Sequence, residues 1–367
     1  MVKINPEMVV LAREYRGLTQ EELARKLYVS QAKIARIEGG LQREIPEVLM
    51  DFIVEALSFP HDFFTQNEDR IGFGSSAYFY RKKSDLSASD RKRVHGLVNL
   101  LRIGVKRYMS FVEVGAKRPL PVLDLANYGN SPTKIAQALR GMWKLPDGPI
   151  KNLTALVESA GVIVMPCDFG TRSIDATSLR LTEMPPLIFI NFDIPGDRWR
   201  FTLCHELGHL IMHDIPVDTM EDEADAFAAE FLMPEVEMRA QFSQYSRLRL
   251  QDFRNFKQHW KTSMGSLIER AHDLQFLDDN QRRYLWITMS KLDFRLREPD
   301  PIEVEQPKTF KNIVQYFLKE LKYGPEDFQK LLKLNPLELE SLHGVSSFGA
   351  FVENPMRGKL KIVQGGA

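Results

Sequence analysis

The pattern H-E-x-x-H, within the segment RFTLCHELGHLIMH, constrains this chain more than any other feature of its sequence. It comprises His205, Glu206 and His209. On an α-helix, residues four positions apart lie on one face, so both imidazoles can bind a single metal ion. With eight His and 49 acidic residues among 367, chance would produce only about 0.02 such matches. The pattern therefore favours a metal site over a surface helix with two ordinary histidines.

These residue types suit the hydrolysis of an amide bond. Zinc in a catalytic site takes three protein ligands and keeps one position open for water, whose pKa it lowers towards ~7. Glu206 lies one step from His205, within reach of that water but badly directed to be a ligand. The sequence therefore predicts a zinc-dependent peptidase in which His205 and His209 hold Zn²⁺ and Glu206 moves the proton.

The third ligand is expected from the acidic segment EDEADAFAAEFLMP that follows the motif. Glu221, Glu223 and Asp225 are the candidates. His213, one turn beyond His209, is a weaker one and is otherwise expected to cap the helix or fill the core. Positions 221, 225, 228 and 232 share one helix face, so we predict that Glu221 binds zinc and Asp225 accepts the outer N–H of a ligand histidine. Glu223, about 200° away around the helix, is the runner-up because helix ends fray.

Other residues near the motif are candidates for substrate binding. Leu187–Asn191 is a β-type run that can pair with an extended peptide as an edge strand, or form ordinary sheet core. Arg198, Arg200 and Tyr245 are candidates for a second electrophile, and spacing does not choose among them. Cys204 turns to another helix face than the metal ligands and is expected to be a packing residue.

Length and composition are those of a large globular chain without a charge bias. At 367 residues, the chain is long enough for two or three domains. Lys+Arg and Asp+Glu both number 49, so the global charge indicates neither a nucleic-acid nor a membrane partner. Only two cysteines are present, which argues against a disulfide-stapled secreted protein. No signal-peptide core or run of about 18 apolar residues is found, so a cytoplasmic protein without membrane contact is expected.

Residues 1–66 are predicted to form a compact bundle of short helices. Pro6 begins the first helix and Gly17 ends it. Thr19 begins a capping box at the start of the second helix, and Ser30 can cap a third. Two short helices joined by a three-residue turn form a helix-turn-helix, whose second helix enters the major groove of DNA.

The predicted DNA-contacting side chains lie on the third helix of this bundle: Gln31, Ala32, Lys33 and Arg36. Gln suits adenine, Arg and Lys suit guanine or phosphate, and Ala can touch a thymine methyl group. Residues 1–65 carry eight Lys/Arg against ten Asp/Glu, a net charge of −2, which is unfavourable for binding phosphates. The alternative is a bundle that binds only protein. On duplex DNA with two half-sites, a homodimer is expected.

The whole chain is predicted to be multidomain and mostly α. Residues 67–145 are a helical connecting region, with a basic stretch over 81–107 that forms a solvated helix face or docks on phosphates. Residues 146–298 are predicted to be an α+β, zincin-like peptidase domain with a small sheet. Residues 299–367 begin with the linker EPDPIEVEQP and form a small helical module that packs on the rest of the chain or binds protein.

Two parts of the chain resemble known families. LTQEELARKLYVSQAKIARIEGG resembles the helix-turn-helix of Xre/Cro/C1-type repressors. RFTLCHELGHLIMH followed by EDEADAFAAEFLMP resembles the ImmA/IrrE metallopeptidases, to which KNLTALVESAGVIVMP and MGSLIERAHDL are also similar. The resemblance covers residues 1–66 and about 135–298, and it implies that His205 and His209 bind zinc and that Glu206 is the catalytic base. Members of that family are implied to cleave or inactivate repressors, in mobile-element control, the DNA-damage response and toxin–antitoxin-like settings.

Three functions are consistent with these patterns. The first is a zinc endopeptidase that also binds DNA and regulates transcription by cleaving a repressor, an antitoxin-like partner or itself. The second is a DNA-binding regulator whose zinc fold senses or scaffolds with little proteolysis. Glu206 argues for the first, because a structural zinc site needs no carboxylate beside its ligand and prefers a closed, Cys-rich shell. The third is the toxin half of a two-gene module.

Overall fold

The computed structural model describes residues 1–71, 78–79, 87–215, 217–346 and 349–352. Helices account for most of these residues, and one four-stranded sheet lies within them. The predicted mostly helical class is therefore confirmed. Within the same ranges, no helix combines the length and the apolar character needed to cross a membrane.

The N-terminal part is a bundle of five short helices with a two-stranded antiparallel ribbon. The predicted caps are present: the side chains of Thr19 and Ser30 accept backbone N–H groups three residues later, and Thr19 forms a full capping box with Glu22. Gly17 follows the first helix with φ +69°, a conformation that favours glycine. The elements are β1 (Val2–Lys3), α1 (Pro6–Tyr15), α2 (Gln20–Lys26), α3 (Gln31–Glu38), β2 (Glu44–Ile45), α4 (Glu47–Leu57) and α5 (His61–Thr65).

Helix α6 (Ala88–Tyr108) lies between this bundle and the C-terminal helices. Two of its glycines permit close approach on either side. A Cβ added at Gly96 would lie 2.7 Å from the backbone nitrogen of Tyr15 in α1, and one at Gly104 would collide with the ring of His343. Because α6 touches both neighbours this closely, the bundle and the C-terminal helices share one core.

The basic stretch predicted over residues 81–107 lies only partly on the surface. Its first three residues are outside the described part of the chain, and residues 91–93 are exposed, as a solvated face requires. Arg102, however, is only 5% exposed and donates to the carbonyl of Asp69, while Arg107 donates to a carbonyl in the C-terminal helices. Both predicted roles, a solvated face and a phosphate site, are wrong for these two side chains, which fasten neighbouring backbone to α6.

The central part of the chain is the predicted α+β region. A short 3-10 helix (Leu125–Tyr128) precedes it. Its elements are α7 (Pro132–Met142), α8 (Leu153–Glu158), β4 (Ile163–Cys167), β5 (Ala176–Leu181), β6 (Met184–Asn191), α9 (Gly196–Met212), α10 (Met220–Leu232), α11 (Glu235–Phe242), α12 (Leu250–Trp260), α13 (Met264–Asp273) and α14 (Asp279–Lys291).

The four-stranded sheet has the order β3-β5-β6-β4, in which β3 is the two-residue strand Tyr78–Phe79. β6 is parallel to β4 and antiparallel to β5. The run Leu187–Asn191 is therefore bonded on both sides, and its predicted use as an edge strand for substrate is wrong. Successive apolar side chains of this run point to opposite faces of the sheet. Because both faces are buried, the run is apolar throughout.

The sheet separates two hydrophobic cores. Ile163 of β4 and Phe189 of β6 face the core shared by the N-terminal bundle, α6 and the C-terminal helices. Val164 of β4 and Ile188 of β6 face the other core, formed by α7 to α14. Successive strand residues point to opposite faces, so one short sheet joins the helix-turn-helix side of the molecule to the side that carries the H-E-x-x-H motif.

The C-terminal segment forms three short helices that pack on α6, as the packing interpretation predicted. They are α15 (Thr309–Lys319), α16 (Pro325–Leu332) and α17 (Pro336–His343). Phe317 and Phe328 are fully buried in the shared core. The segment predicted to be a linker before them packs on the central region: Glu298 pairs with Lys257, and Glu305 pairs with Arg200 at the start of α9.

Candidate metal centre

Helix α9 places the two histidines of the motif on one buried face. His205 is 3% exposed and His209 is fully buried. The helix ends at Met212, because His213 has an extended backbone (φ −117°, ψ 101°). The motif thus occupies the last two turns of a helix whose end is directed at the start of α10.

Three possible ligand atoms converge at this point. The Nε2 atoms of His205 and His209 lie 3.0 Å apart. The carboxylate of Glu221, from the first turn of α10, lies 3.5 Å from the first and 3.4 Å from the second. A tetrahedral zinc ion with bonds of about 2.0–2.1 Å requires ligand atoms about 3.3 Å apart. Among the described residues, these three form the one cluster of His, Cys or acidic side chains suited to a metal ion.

The charge at this point also fits a cation. Both carboxylate oxygens of Glu221 are buried and have no hydrogen-bond partner in the described chain. Burial raises the pKa of Glu221, but the imidazoles of His205 and His209 outweigh it and hold the pKa well below its usual range. A buried carboxylate that stays ionised beside two imidazole nitrogens, at contacts of 3.4 and 3.5 Å, offers negative charge to a cation held between the three groups. The residues present therefore fit a divalent metal.

The outer nitrogens of the two histidines have different partners. His205 Nδ1 lies 2.7 Å from Asp225 Oδ1, on the second turn of α10. His209 Nδ1 lies 3.0 Å from Nδ1 of His213. Burial lowers the pKa of His205, but Asp225 and Glu221 outweigh it and raise the pKa to about 9. The arrangement thus favours a positive charge at His205 in the absence of metal.

Glu223, the alternative third ligand, lies elsewhere. Its Oε2 atom is 2.9 Å from His213 Nε2, and its Oε1 atom accepts a hydrogen bond of 2.8 Å from Thr219 Oγ1. Glu221 and Glu223 are therefore directed to different histidines, as their separation around the helix requires. His213 itself is buried at the C-cap of α9.

A second candidate surface lies on α3, at the other end of the chain. Of the four predicted DNA-contacting residues, Gln31, Ala32 and Arg36 are exposed and Lys33 is half-buried. Ile34 and Ile37 on the opposite face are buried in the core of the bundle. The polar face of α3 is therefore available to a partner.

Gln20 was not singled out by the sequence patterns. Its side chain accepts a hydrogen bond of 2.8 Å from Gln31 Nε2 and donates one of 2.8 Å to Glu38. Glu38 also forms a buried, two-bonded ion pair with Arg13 of α1. The glutamine that begins α2 thus orients the glutamine that begins α3. The sequence feature that could have revealed this contact is that Gln20 and Gln31 are the first residues of α2 and α3.

Comparison with known protein families gives a match for each of the two parts of the chain that carry these surfaces. Residues 157–272 match the peptidase M78 family, described as the IrrE N-terminal-like domain. Residues 11–62 match a helix-turn-helix domain. The chain joins a helix-turn-helix domain to an IrrE N-terminal-like domain. The predicted ImmA/IrrE resemblance is thereby confirmed. No curated protein matches the chain.

Within the IrrE-like domain, Glu206 is 1% exposed and follows His205 directly on α9. It lies about 100° around the helix from His205, its charge raises the pKa of His205, and it is outside the cluster of ligand atoms. Cys204 is fully buried, and burial raises the pKa of its thiol. A protonated, buried thiol is a packing group.

Two of the three predicted electrophiles of the IrrE-like domain are occupied by ion pairs. Arg198 donates to Asp175 at 2.6 and 2.8 Å. Arg200 is 1% exposed and pairs with Glu305 in the segment after α14. Tyr245 packs on a neighbouring aromatic ring beyond α11. The structure therefore brings together the motif residues, Glu221, Asp225, His213 and Glu223, and engages these three side chains with other partners.

The far end of α10 is held by buried charges that the sequence patterns did not reveal. Glu230 forms an ion pair with Arg270 of α13 and accepts a hydrogen bond of 2.8 Å from the side chain of Gln137 in α7. Arg270 also donates 2.9 Å to the carbonyl of Met233, in the L-M-P turn of the IrrE-like domain. Breaking a buried pair of this kind typically costs about 3–5 kcal/mol. The pair fixes α10, and α10 carries Glu221.

Proposed function

We propose that this chain is a zinc-dependent endopeptidase whose helix-turn-helix domain binds duplex DNA, and that it regulates transcription by cleaving a repressor or another partner protein. The observation that carries the proposal is the convergence of His205, His209 and Glu221 beside Glu206. Three protein ligands with an adjacent carboxylate are the donor set of catalytic zinc sites, whereas structural sites have four ligands and are often rich in Cys.

In this proposal His205, His209 and Glu221 hold the metal. When bound, zinc supplies Lewis-acid chemistry, activating a water molecule and polarising the scissile carbonyl. Glu206 takes the proton from the attacking water and delivers it to the leaving nitrogen. Asp225 accepts Nδ1–H of His205, which leaves the Nε2 lone pair directed at the metal.

The proposed substrate class follows from the second domain. A helix-turn-helix places the chain at or near DNA, where a repressor or an antitoxin-like protein is a neighbouring substrate. The buried residues of α3 belong to the core on one face of the sheet, and those of α9 belong to the core on the other face. A cleavage event and a DNA-binding event can therefore occur on one molecule without competing for the same surface.

The test compares the zinc-loaded protein with the variant Glu206→Gln. Both are incubated with a lysate of the source cells and with casein, with and without a zinc chelator, and newly formed amino termini are identified by mass spectrometry. We expect new termini only with the native protein and only without chelator. A native protein that holds one zinc ion but produces no new termini would exclude the peptidase and favour a DNA-binding regulator in which the metal fold senses or scaffolds.

A further inference from the structure

His213 has no part in the H-E-x-x-H motif, yet it is buried against one of the motif histidines. Its side chain is 2% exposed, and its Nδ1 atom lies 3.0 Å from His209 Nδ1. From His213, polar contacts continue to Glu223 at 2.9 Å and then to Thr219 at 2.8 Å. These residues connect the end of α9 to the start of α10.

The chemistry of imidazole determines the direction of the hydrogen bonds. A histidine that binds metal through Nε2 carries its proton on Nδ1, so His209 must donate to His213. His213 Nδ1 must then accept, which places the proton of His213 on Nε2. That proton is donated to Glu223 Oε2, while Thr219 donates to the other oxygen of the same carboxylate.

We propose that His213, Glu223 and Thr219 are positioning residues that orient His209 and hold it in the tautomer that binds metal. The inference rests on the proposed zinc site and adds a set of residues that no motif assigns. It gives the two ligand histidines unequal support. His205 is oriented directly by Asp225, whose side chain is 36% exposed, whereas His209 is oriented through a second, buried imidazole.

The backbone explains why the fourth residue after His209 can reach it. A residue four positions along a regular helix lies on the same face, about 6 Å further along the axis, as His209 does relative to His205. His213 is instead the C-cap, where the chain leaves the helix while its N–H still bonds the carbonyl of His209 at 3.1 Å. The two imidazole rings lie side by side, with centroids 5.1 Å apart. Thr219 is the N-cap residue of α10, so the two ends of the intervening loop meet at Glu223.

The experiment measures zinc affinity of the full-length protein by competition with a chromophoric chelator. His213→Leu removes the acceptor and is expected to weaken zinc binding by about 10–100-fold, the usual effect of losing an outer partner. His213→Asn returns an acceptor oxygen near the position of Nδ1 and should recover most of that loss. If His213 had only a structural role, the Asn variant would not bind zinc more tightly than the Leu variant.

Glu223 provides a second pair of variants on a less buried side chain. Glu223→Gln keeps an acceptor for His213 and should bind zinc nearly as the native protein does, whereas Glu223→Leu should be weakened. Asp222→Leu is the matched control, because it removes a neighbouring exposed carboxylate from the same turn of α10. This pair decides the matter even if His213→Leu does not fold.

Imidazole tautomers are read independently from long-range ¹H–¹⁵N correlations of the zinc-loaded protein. We expect the proton on Nδ1 of His209 and on Nε2 of His213, and a shift of the latter towards Nδ1 in Glu223→Leu. The proposal is overturned if folded His213→Leu binds zinc with native affinity, or if native His213 carries its proton on Nδ1. None of these measurements depends on peptide cleavage. A native protein that binds zinc but cleaves no peptide would therefore contradict the proposed peptidase function and leave the positioning role of His213 intact. One that binds no zinc contradicts both proposals.

Discussion

Gly208 lies against the ring of Phe227. A Cβ at position 208 would be 2.9 Å from Phe227 Cδ1 and 3.5 Å from the Cα of Ala224. Gly208 belongs to the H-E-x-x-H motif on α9, and Phe227 belongs to α10, the helix that carries Glu221. The missing side chain at 208 thus determines how closely the two helices approach, and with it the reach of the Glu221 carboxylate to the two imidazoles.

Gly208→Ala should weaken zinc binding and destabilise the protein. Alanine improves helix propensity by up to about 1 kcal/mol, but the added methyl group collides with a buried ring, and overpacking of this kind costs about 1–3 kcal/mol. Zinc competition and urea unfolding measure the two effects. Gly141→Ala is the matched control, because Gly141 lies in α7 with no atom near its missing Cβ and should be slightly stabilised. Unchanged zinc affinity in Gly208→Ala would show that helix spacing does not control the site.

Glu221→Ala should lower zinc affinity more than Glu223→Ala. Glu221 lies 3.4–3.5 Å from both Nε2 atoms, whereas Glu223 contacts His213. Loss of a direct ligand removes a metal bond, and loss of an outer partner typically costs about 10–100-fold. Metal titration of the two variants gives the ranking, and the opposite ranking would assign the third ligand to Glu223.

The double variant Lys33→Ala, Arg36→Ala should bind duplex DNA more weakly and with a shallower dependence on salt. Each lost phosphate contact reduces the slope of log K against log salt by roughly one. Fluorescence anisotropy with operator-length duplexes at several salt concentrations measures this. Lys319→Ala with Lys330→Ala removes the same charge from exposed positions of the C-terminal helices, and should leave the slope unchanged. Absence of sequence-preferring binding by the native protein at low salt would instead indicate a protein-binding bundle.

Stability should fall as the pH is lowered below about 6.5, in part because of His343. Burial, with help from the charge of Arg107, lowers the pKa of His343 to about 3, and its Nδ1 atom lies 3.3 Å from the hydroxyl of Tyr108. In the unfolded chain His343 is protonated below about pH 6.5, whereas in the folded chain it stays neutral down to about pH 3. The stabilisation is therefore complete above that range and is lost as the pH falls through it, by up to about 1.4 kcal/mol per pH unit.

His343→Gln should make the free energy of unfolding less dependent on pH between 7.5 and 5, measured from urea transitions at each pH. His259→Gln is the control, since His259 is exposed at the end of α12, and should retain the native dependence. If the native protein and His343→Gln lose the same free energy of unfolding between pH 7.5 and 5, His343 is not the cause of the pH dependence.

Local features were the ones that could be predicted from residues near in sequence. Thr19 and Ser30 cap their helices through contacts three residues away, and such contacts depend only on backbone geometry. The same holds for His205 and His209, since the spacing of four residues places them on one face of any helix. The packing of the C-terminal segment was likewise expected from its apolar periodicity.

Errors arose where a residue's environment comes from distant parts of the chain. The run Leu187–Asn191 was equally consistent with an edge and with a central strand, because strand order depends on pairing with β4 and β5. Arg102 and Arg107 look like surface charges by residue type, but each meets a backbone carbonyl brought to α6 by another segment. Residue type and periodicity contain no information about these partners.

The sequence by itself determined that this chain carries a helix-turn-helix and a helix with two histidines on one face, because both depend on interactions within a few residues. The shared helix face also favoured Glu221 and Asp225 as their acidic partners, and only the tertiary structure decided how close these acids come to the histidines. That outcome depends on the rotation and separation of α9 and α10, set by the contact of Gly208 with Phe227 and by the buried pair of Glu230 with Arg270. A rotation of α10 by one residue, about 100°, would move Glu221 away from the imidazoles. The face shared by positions 221, 225, 228 and 232 favours the observed rotation, but no pattern within either helix specifies how closely the two helices approach.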